Sequence, residues 1–258
     1  MKPIIPVLLV LVAIAAAVGA AWLYLSRSFP IGRGEVVAEQ RALPSFSRIV
    51  IEGFADVTLV QANAESVTVE APSKYLPSVR TEVSDGALRI TSDQSRRWWS
   101  AILGGGARPA RVTVTYREIE AINTSGAVKL RADRLKADRL KVSASGATSL
   151  KISDLDTKEL SVSGSGAMKV EIIGRATLQT IDISGAGNYR AAELASEDAR
   201  VTVSGAGRVV VKAENTLRIS LSGAGNVEYI GNPKVTQQIS GAGRVKRRGA
   251  AQSVPAIA

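Results

Sequence analysis

The chain has 258 residues and a formal net charge of +10, with 45% apolar, 22% charged and only 4% aromatic residues. This composition is typical of a folded protein whose core is built from Val, Ile, Leu and Ala. The sequence contains neither Cys nor His, which excludes disulfides, Cys/His zinc sites, Ser-His-Asp triads and Cys-His dyads. The basic net charge affects which molecules the protein associates with, but it does not indicate the fold.

The N-terminal segment is predicted to be a membrane-targeting segment. Residues 4–25 carry no charge, and a helix of this length at about 1.5 Å per residue would reach about 33 Å, enough to cross a bilayer. One interpretation is a retained transmembrane anchor, because Trp22 and Tyr24 suit the membrane interface. The other is a signal peptide cleaved after Ala20. Residues 26–44, which contain two Pro and two Gly, are predicted to be a linker.

Residues 45–120 alternate in hydropathy without a regular repeat, which is typical of short strands. The pair Asp85-Gly86 predicts a hairpin turn, and residues 73–79 are a candidate short helix. Since a solenoid needs its first turn covered, we predict that this segment forms irregular capping rungs.

An insertion at residues 93–109 interrupts this segment and contains Arg96, Arg97, Trp98 and Trp99. Arginine beside exposed tryptophan is typical of binding surfaces, so these four residues are one candidate site. The alternative is that both tryptophans fold back over the open end of the stack.

The strongest signal is a Ser-Gly-Ala tripeptide that occurs seven times at spacings of 18 to 20 residues. Repetition at this period is typical of a solenoid, in which each unit buries its apolar face against the next. We predict that the glycines form the turns, because glycine tolerates positive φ and close backbone approach. These turn residues are Gly126, Gly146, Gly166, Gly185, Gly205, Gly223 and Gly241.

Aligning the copies on the serine shows the alternation of a strand on both sides of each turn. Three residues before the serine the copies carry Ile or Val, except for Gln237, while the next position is polar. The predicted fold is therefore all-β, a right-handed parallel β-helix with rungs of 18–20 residues over 121–247. We predict a flexible tail at 248–258.

A second candidate binding site is the outward column four residues after each serine. Its members on successive copies would form a polar and basic stripe facing an anionic polymer, or simply a solvated face. The candidates are Lys129, Lys169, Asn188, Arg208, Asn226 and Arg244. No cofactor or metal is predicted, since Arg208 and Arg244 lie where calcium-binding β-rolls carry aspartate.

Polysaccharide-acting β-helix enzymes need clustered carboxylates. Asp154 and Asp156 are a close acidic pair in the repeats. A catalytic pair and a solvated turn are the two interpretations, and the turn is the commoner case.

The run from Phe46 to Leu59, the run from Thr81 to Ile90 and the later Ser-Gly-Ala-Gly copies occur in this order. Together they resemble the putative auto-transporter adhesin, head GIN domain family, over residues 45–247. The resemblance implies an exported bacterial β-helical domain whose biochemical role is largely unassigned.

These observations predict a non-enzymatic exported protein of the cell envelope, periplasmic or extracytoplasmic, anchored through residues 4–25 or secreted. Its expected partners are an anionic surface polymer or an envelope protein, and not nucleic acid. Two alternatives stay open. One is a polysaccharide-acting enzyme, and the other is a structural scaffold that stacks end to end through its open strand edges.

Overall fold

The computed structural model describes residues 36–92 and 110–249, and this part of the chain is all-β, as predicted. Within it, no helix is long and apolar enough to cross a membrane. The predicted helix at 4–25 and the candidate site at Arg96, Arg97, Trp98 and Trp99 lie outside the described residues.

The elements follow one another with short connections. They are β1 Val36–Ala42, β2 Arg48–Gln61, β3 Ser66–Pro72, a 3-10 turn Ser73–Ser78, β4 Val79–Ser84, β5 Ala87–Ser92, β6 Arg111–Tyr116, β7 Ala121–Ala132, β8 Leu135–Ala191, β9 Leu194–Gly205, β10 Arg208–Lys212, β11 Thr216–Gly223, β12 Asn226–Ile230, β13 Lys234–Ser240 and β14 Arg244–Arg247.

Consecutive repeats pair in parallel and in register. Gly126 of β7 lies beside Gly146 of β8, and Gly205 of β9 lies between Gly185 and Gly223. We use "rung" for one repeat in this stack. The sequence predicts two strands per repeat, whereas β8 runs unbroken for 57 residues, because extended backbone pairing continues through its corners.

The corner glycines form a column in which each backbone touches the previous one. Gly146 has a φ of +91°, and a Cβ built on it would lie 2.5 Å from the carbonyl oxygen of Gly126. Both the left-handed conformation and the contact with the neighbouring backbone exclude other residues. The same conformation recurs at Gly53, Gly126, Gly146, Gly166, Gly185, Gly205, Gly223 and Gly241. The sequence predicted seven of these corners and missed Gly53.

The second glycine of Ser-Gly-Ala-Gly is required by side-chain packing rather than by the contact between neighbouring backbones. A Cβ on Gly187 would lie 2.6 Å from Cγ2 of Ile183, and one on Gly225 would lie 2.7 Å from Cδ1 of Leu221. These glycines therefore make room for the large side chain that precedes the corner serine. In the third repeat the order is reversed, since Gly164 makes room for the thioether of Met168.

The interior is a continuous aliphatic core that extends from Phe46 to Val227. The long strands β7, β8, β9 and β11 largely alternate buried positions with more exposed ones, as in the Ile-Ser-Leu segment of β11. Narrow rungs of this length leave little space for rings, and Tyr116 and Tyr189 are the largest fully buried side chains in the described part.

The N-terminal end of the stack is closed by antiparallel strands. β2 pairs in parallel with β7 on one side and with β5 and β6 on the other. Beyond them, β4 pairs antiparallel with β5, β3 with β6, and β1 with β3. The turn at Asp85-Gly86, with φ values of +51° and +69°, joins β4 to β5 as the sequence predicts.

At the C-terminal end, β13 pairs only with β11 and β14 only with β12 among the described residues. Their side chains are largely exposed, and Ile239 is 41% exposed. Within the described ranges, this end therefore presents open strand edges.

Removal of the hydroxyl is expected to have opposite effects on stability at the two buried tyrosines. Burial raises the pKa of both phenols. The Tyr189 hydroxyl donates to Oε1 of Gln179 at 3.3 Å, whereas the Tyr116 hydroxyl has no partner among the described residues. Since an unpaired buried hydroxyl is costly, Tyr116→Phe should stabilise by up to about 1 kcal/mol and Tyr189→Phe should destabilise by about 1 kcal/mol. Urea unfolding measures both, and changes of the same sign would contradict this assignment.

Candidate binding surface

The column predicted to bind an anionic polymer lies on one face of the stack. We call it the post-corner face, formed by the outward residues four and six positions after each corner serine. Strand register places Lys129, Asn188, Arg208, Asn226 and Arg244 in line. Lys169 lies in the middle of β8. There the corner glycines are stacked on one another, which places Lys169 in line with the same column. The structure thus brings together all six predicted residues of this column.

A second basic column runs beside it. Within the described part, the two columns contain eight basic and two acidic side chains, and Asp56 of β2 continues the first column beside Lys129. Each of these three acids is already paired. Asp56 pairs with Arg131 at 3.1 Å, Glu171 with Lys151 at 3.5 Å and Glu228 with Arg248 at 3.8 Å. Six cations of the face make no ion pair with any described residue, namely Lys129, Lys169, Arg190, Arg208, Arg244 and Lys246.

The charges on the connections between repeats are arranged differently. We call this surface the third face, residues 133–139, 153–159 and 174–177. Eight of its ten charged side chains pair from one rung to the next, over distances of 2.8 to 3.4 Å. The pairs are Arg134 with Asp154, Arg139 with Glu159, Lys158 with Asp138, and Arg175 with Asp156. The third face is therefore close to neutral.

This pairing bears on the candidate catalytic carboxylates. Asp154 accepts a hydrogen bond from Nε of Arg134, and Asp156 accepts two from Arg175, at 2.8 Å each. The hydrogen bonds from Arg175 lower the pKa of Asp156, so this carboxyl is held as an anion and is a poor proton donor at neutral pH. In the described ranges, no group of three or more acidic side chains could hold a metal ion.

The surface that precedes each corner is lined with hydroxyls. We call it the pre-corner face, formed by the outward residues before the corner and by the corner serines. A groove of about 410 Å³ runs along it between Asn123 and Asp182, and Oγ of Ser163 donates to Oγ of Ser143 at 3.2 Å. The sequence showed these residues as the polar half of the alternation, but the groove that they form was missed.

An apolar groove of about 520 Å³ lies immediately after the corners. Its floor is the alanine of each Ser-Gly-Ala in the first four repeats, and Phe54 lies at one end. Lys129 and Lys169 of the post-corner face also line it. The sequence did not predict this groove, although the aligned repeats contain the column of alanines.

The basic column ends at a small cavity near the C-terminal end of the stack. Arg208, Glu228, Lys246, Arg247 and Arg248 line this cavity of about 460 Å³. Glu228 is engaged by Arg248, so the remaining cations extend the positive face to the last rung.

The described residues thus define an all-β protein of in-register parallel strands whose outward columns form chemically distinct faces. The chain belongs to the family described as putative auto-transporter adhesin, head GIN domain, which matches residues 45–233. This finding confirms the resemblance seen in the sequence.

Solved structures share the fold at low identity. A putative adhesin from Bacteroides fragilis is 19% identical with a TM-score of 0.76, covering 83% of this chain and 97% of that chain. A putative adhesin from Parabacteroides merdae is 20% identical with a TM-score of 0.63, covering 84% and 98%. A protein from Parabacteroides distasonis described as a putative lipid binding protein is 19% identical with a TM-score of 0.63, covering 84% and 98%. No curated protein matches the chain.

Proposed function

We propose that this protein is a non-enzymatic, exported cell-envelope protein whose post-corner face binds an anionic polysaccharide. In this proposal the stack is a right-handed β-solenoid, the usual hand of parallel crossovers. The observation that carries the proposal is the set of six cations without an ion pair on one face, beside a third face on which eight of ten charges are paired. The adhesin description of the family supports an envelope location and a binding role.

The spacing of the cations favours a polymer over a small anion. Neighbouring strands are about 4.8 Å apart, so the column from Lys129 to Arg244, which spans six rung intervals, extends about 29 Å. A single small anion reaches one or two of these side chains, whereas a polymer with regularly spaced carboxylates reaches all of them. Because the strands hold the cations in place, little backbone entropy is lost on binding.

Charge removal on the post-corner face should weaken binding to polygalacturonate, a carboxylated polysaccharide. We expect the quadruple variant Lys129→Gln, Lys169→Gln, Arg208→Gln, Arg244→Gln to lose at least about tenfold in affinity at low salt. The dependence of affinity on salt should also become shallower, since fewer exposed charges are screened. Calorimetric titration at several ionic strengths measures both quantities.

A matched control removes the same net charge from the third face, through Arg134→Gln, Arg139→Gln, Lys158→Gln and Arg175→Gln. These side chains are already paired with acids, so their loss should weaken binding much less. Equal losses in the two variants would show that only net charge matters and would contradict a defined binding face.

A second candidate is binding of a lipid acyl chain, which the apolar groove beside Lys129 and Lys169 favours. The similar structure described as a putative lipid binding protein is consistent with it. The variant Ala147→Glu, which places a charge on the groove floor, separates the two candidates in the same titrations. Loss of binding to anionic vesicles with unchanged polygalacturonate binding would assign the groove to lipid.

A further inference from the structure

We infer that Arg200 and Arg218 form a binding site for a tetrahedral oxyanion, a phosphate or sulfate group, on the pre-corner face. Arg200 of β9 and Arg218 of β11 are direct neighbours in a parallel register. Both side chains are exposed, and neither makes an ion pair with any residue in the described ranges. This site is independent of the proposed polysaccharide face, which lies on the other side of the corner.

The like-charged pair differs from the other charged neighbours on adjacent described rungs. Most of these are oppositely charged, as in Arg134 with Asp154. Where two cations, Arg131 and Lys151, are also register partners, each has an acid of its own within 3.5 Å, whereas Arg200 and Arg218 have none among the described residues. Like charges that are directly opposite each other destabilise a sheet. An anion between the two guanidinium groups would replace this repulsion with two attractions.

The surrounding groups are suited to an anion. A groove of about 550 Å³ is lined by both arginines, by the hydroxyls of Thr202 and Ser220, and by Gln238 of β13. Thr202 and Ser220 follow the arginines by two residues, so they lie on the same face of the sheet. Arginine forks and hydroxyl donors approach from two strands, and a tetrahedral anion offers more acceptor oxygens to them than a carboxylate does.

Two carboxylates lie near this pair, and both are on the side away from β13. Asp198 precedes Arg200 by two residues and accepts a hydrogen bond from Oγ1 of Thr216 at 2.5 Å. Asp182 of β8 is the register partner of Thr202. On the opposite side, Arg218 is the register partner of Thr236, and β13 contributes no acidic residue. The anion is therefore placed between the two guanidinium groups, on the side of the pair that is nearer to β13.

The test is a titration with inorganic sulfate and inorganic phosphate at millimolar concentration, followed by the arginine Nε–H signals in an NMR spectrum. We expect the signals of Arg200 and Arg218 to shift together and to saturate. With the anion at about ten times its Kd, the melting temperature should rise by about 2–5 °C. Acetate should give a much smaller response, and comparing sulfate with phosphate identifies the preferred group.

Variants decide whether the response is local. The double variant Arg200→Gln, Arg218→Gln should lose the sulfate-dependent increase in melting temperature, whereas the control Arg139→Gln on the third face should keep it. Arg218→Lys retains the charge without the planar fork and should bind more weakly than the wild type. Equal increases in the wild type and the double variant, or shifts spread over all arginines, would show general salt effects and overturn the site.

Discussion

Replacing Gly146 with alanine is expected to lower the free energy of unfolding by about 2–5 kcal/mol. The residue has a φ of +91°, and its new Cβ would lie 2.5 Å from the carbonyl oxygen of Gly126. Left-handed backbone strain costs about 1–2 kcal/mol in a residue with a Cβ. The forced separation of two paired strands adds a cost similar to overpacking, about 1–3 kcal/mol. For a chain of this size the melting temperature should fall by about 10 °C.

Two control glycines separate the cost of backbone strain from the cost of the close contact with the neighbouring strand. Gly86 has a φ of +69°, but a Cβ there meets no described atom within 4 Å, so Gly86→Ala should cost the backbone strain alone. Gly249 has neither a positive φ nor a close atom in the described part, so Gly249→Ala should have little effect. We expect the losses to increase from Gly249 to Gly86 to Gly146. A loss at Gly146 no larger than that at Gly86 would contradict the stacked-corner explanation.

The corners could be predicted from sequence because the glycine needs the same φ and the same close contact in every repeat. Where the same requirement falls outside the Ser-Gly-Ala tripeptide, it was missed. Gly174 and Gly231 have φ values of +132° and +108°, and a Cβ on either would lie 2.1 Å from a carbonyl oxygen of the preceding rung. Neither belongs to the motif, so periodicity alone did not identify them.

The basic column was also predictable, since counting four residues from each serine needs no knowledge of the fold. Which of its charges are already paired was not predictable. Arg131 pairs with Asp56, 75 positions earlier in the chain, because β2 and β7 are neighbours although four strands and a 3-10 turn separate them. Strand register and side-chain contacts are both needed to show which cation takes each acid, since Asp56 is the register partner of Lys129 but pairs with Arg131. The Arg200–Arg218 pair was missed for the same reason.

In the interior, a polar cluster around Gln179 interrupts a column of apolar side chains. Five residues before the corner serine, successive repeats carry Leu140, Leu160, Gln179, Ala199 and Leu217. Gln179 is fully buried and is the register partner of Ala199, whose small side chain takes less space than the leucines of the column. A glutamine in a column of leucines was a visible signal, but its partners could be identified only from the structure.

Gln179 is hydrogen-bonded on both ends of its amide. Nε2 donates to Oγ of Ser196 at 2.6 Å and to the carbonyl oxygen of Lys212 at 2.9 Å. Oε1 accepts from the hydroxyl of Tyr189 at 3.3 Å, and Ser196 donates to the same Lys212 carbonyl at 2.6 Å. The cluster therefore joins β8, β9 and the end of β10, and each of its side chains depends on the others for a partner.

Replacing Gln179 with alanine is expected to destabilise the protein by about 3–4 kcal/mol. The change leaves the Tyr189 hydroxyl unpaired, at a cost of about 1–3 kcal/mol, and opens a cavity at a fully buried position. Gln179→Leu fills the cavity but has no polar atoms, so it should recover only part of the loss. Urea unfolding of the two variants separates the two effects, and a Gln179→Leu variant as stable as the wild type would contradict a stabilising role for the cluster.

A double-mutant cycle tests the hydrogen bond itself. In the wild type, Tyr189→Phe leaves Oε1 of Gln179 without its donor and should destabilise. In the Gln179→Leu background the tyrosine hydroxyl already lacks an acceptor, so the same change should be neutral or stabilising. The coupling between the two sites is expected to be about 1 kcal/mol or more, as found for residues in one hydrogen-bond network. Additive effects would mean that the two side chains contribute independently, because a hydrogen bond between them requires that the loss of one partner reduce the cost of losing the other.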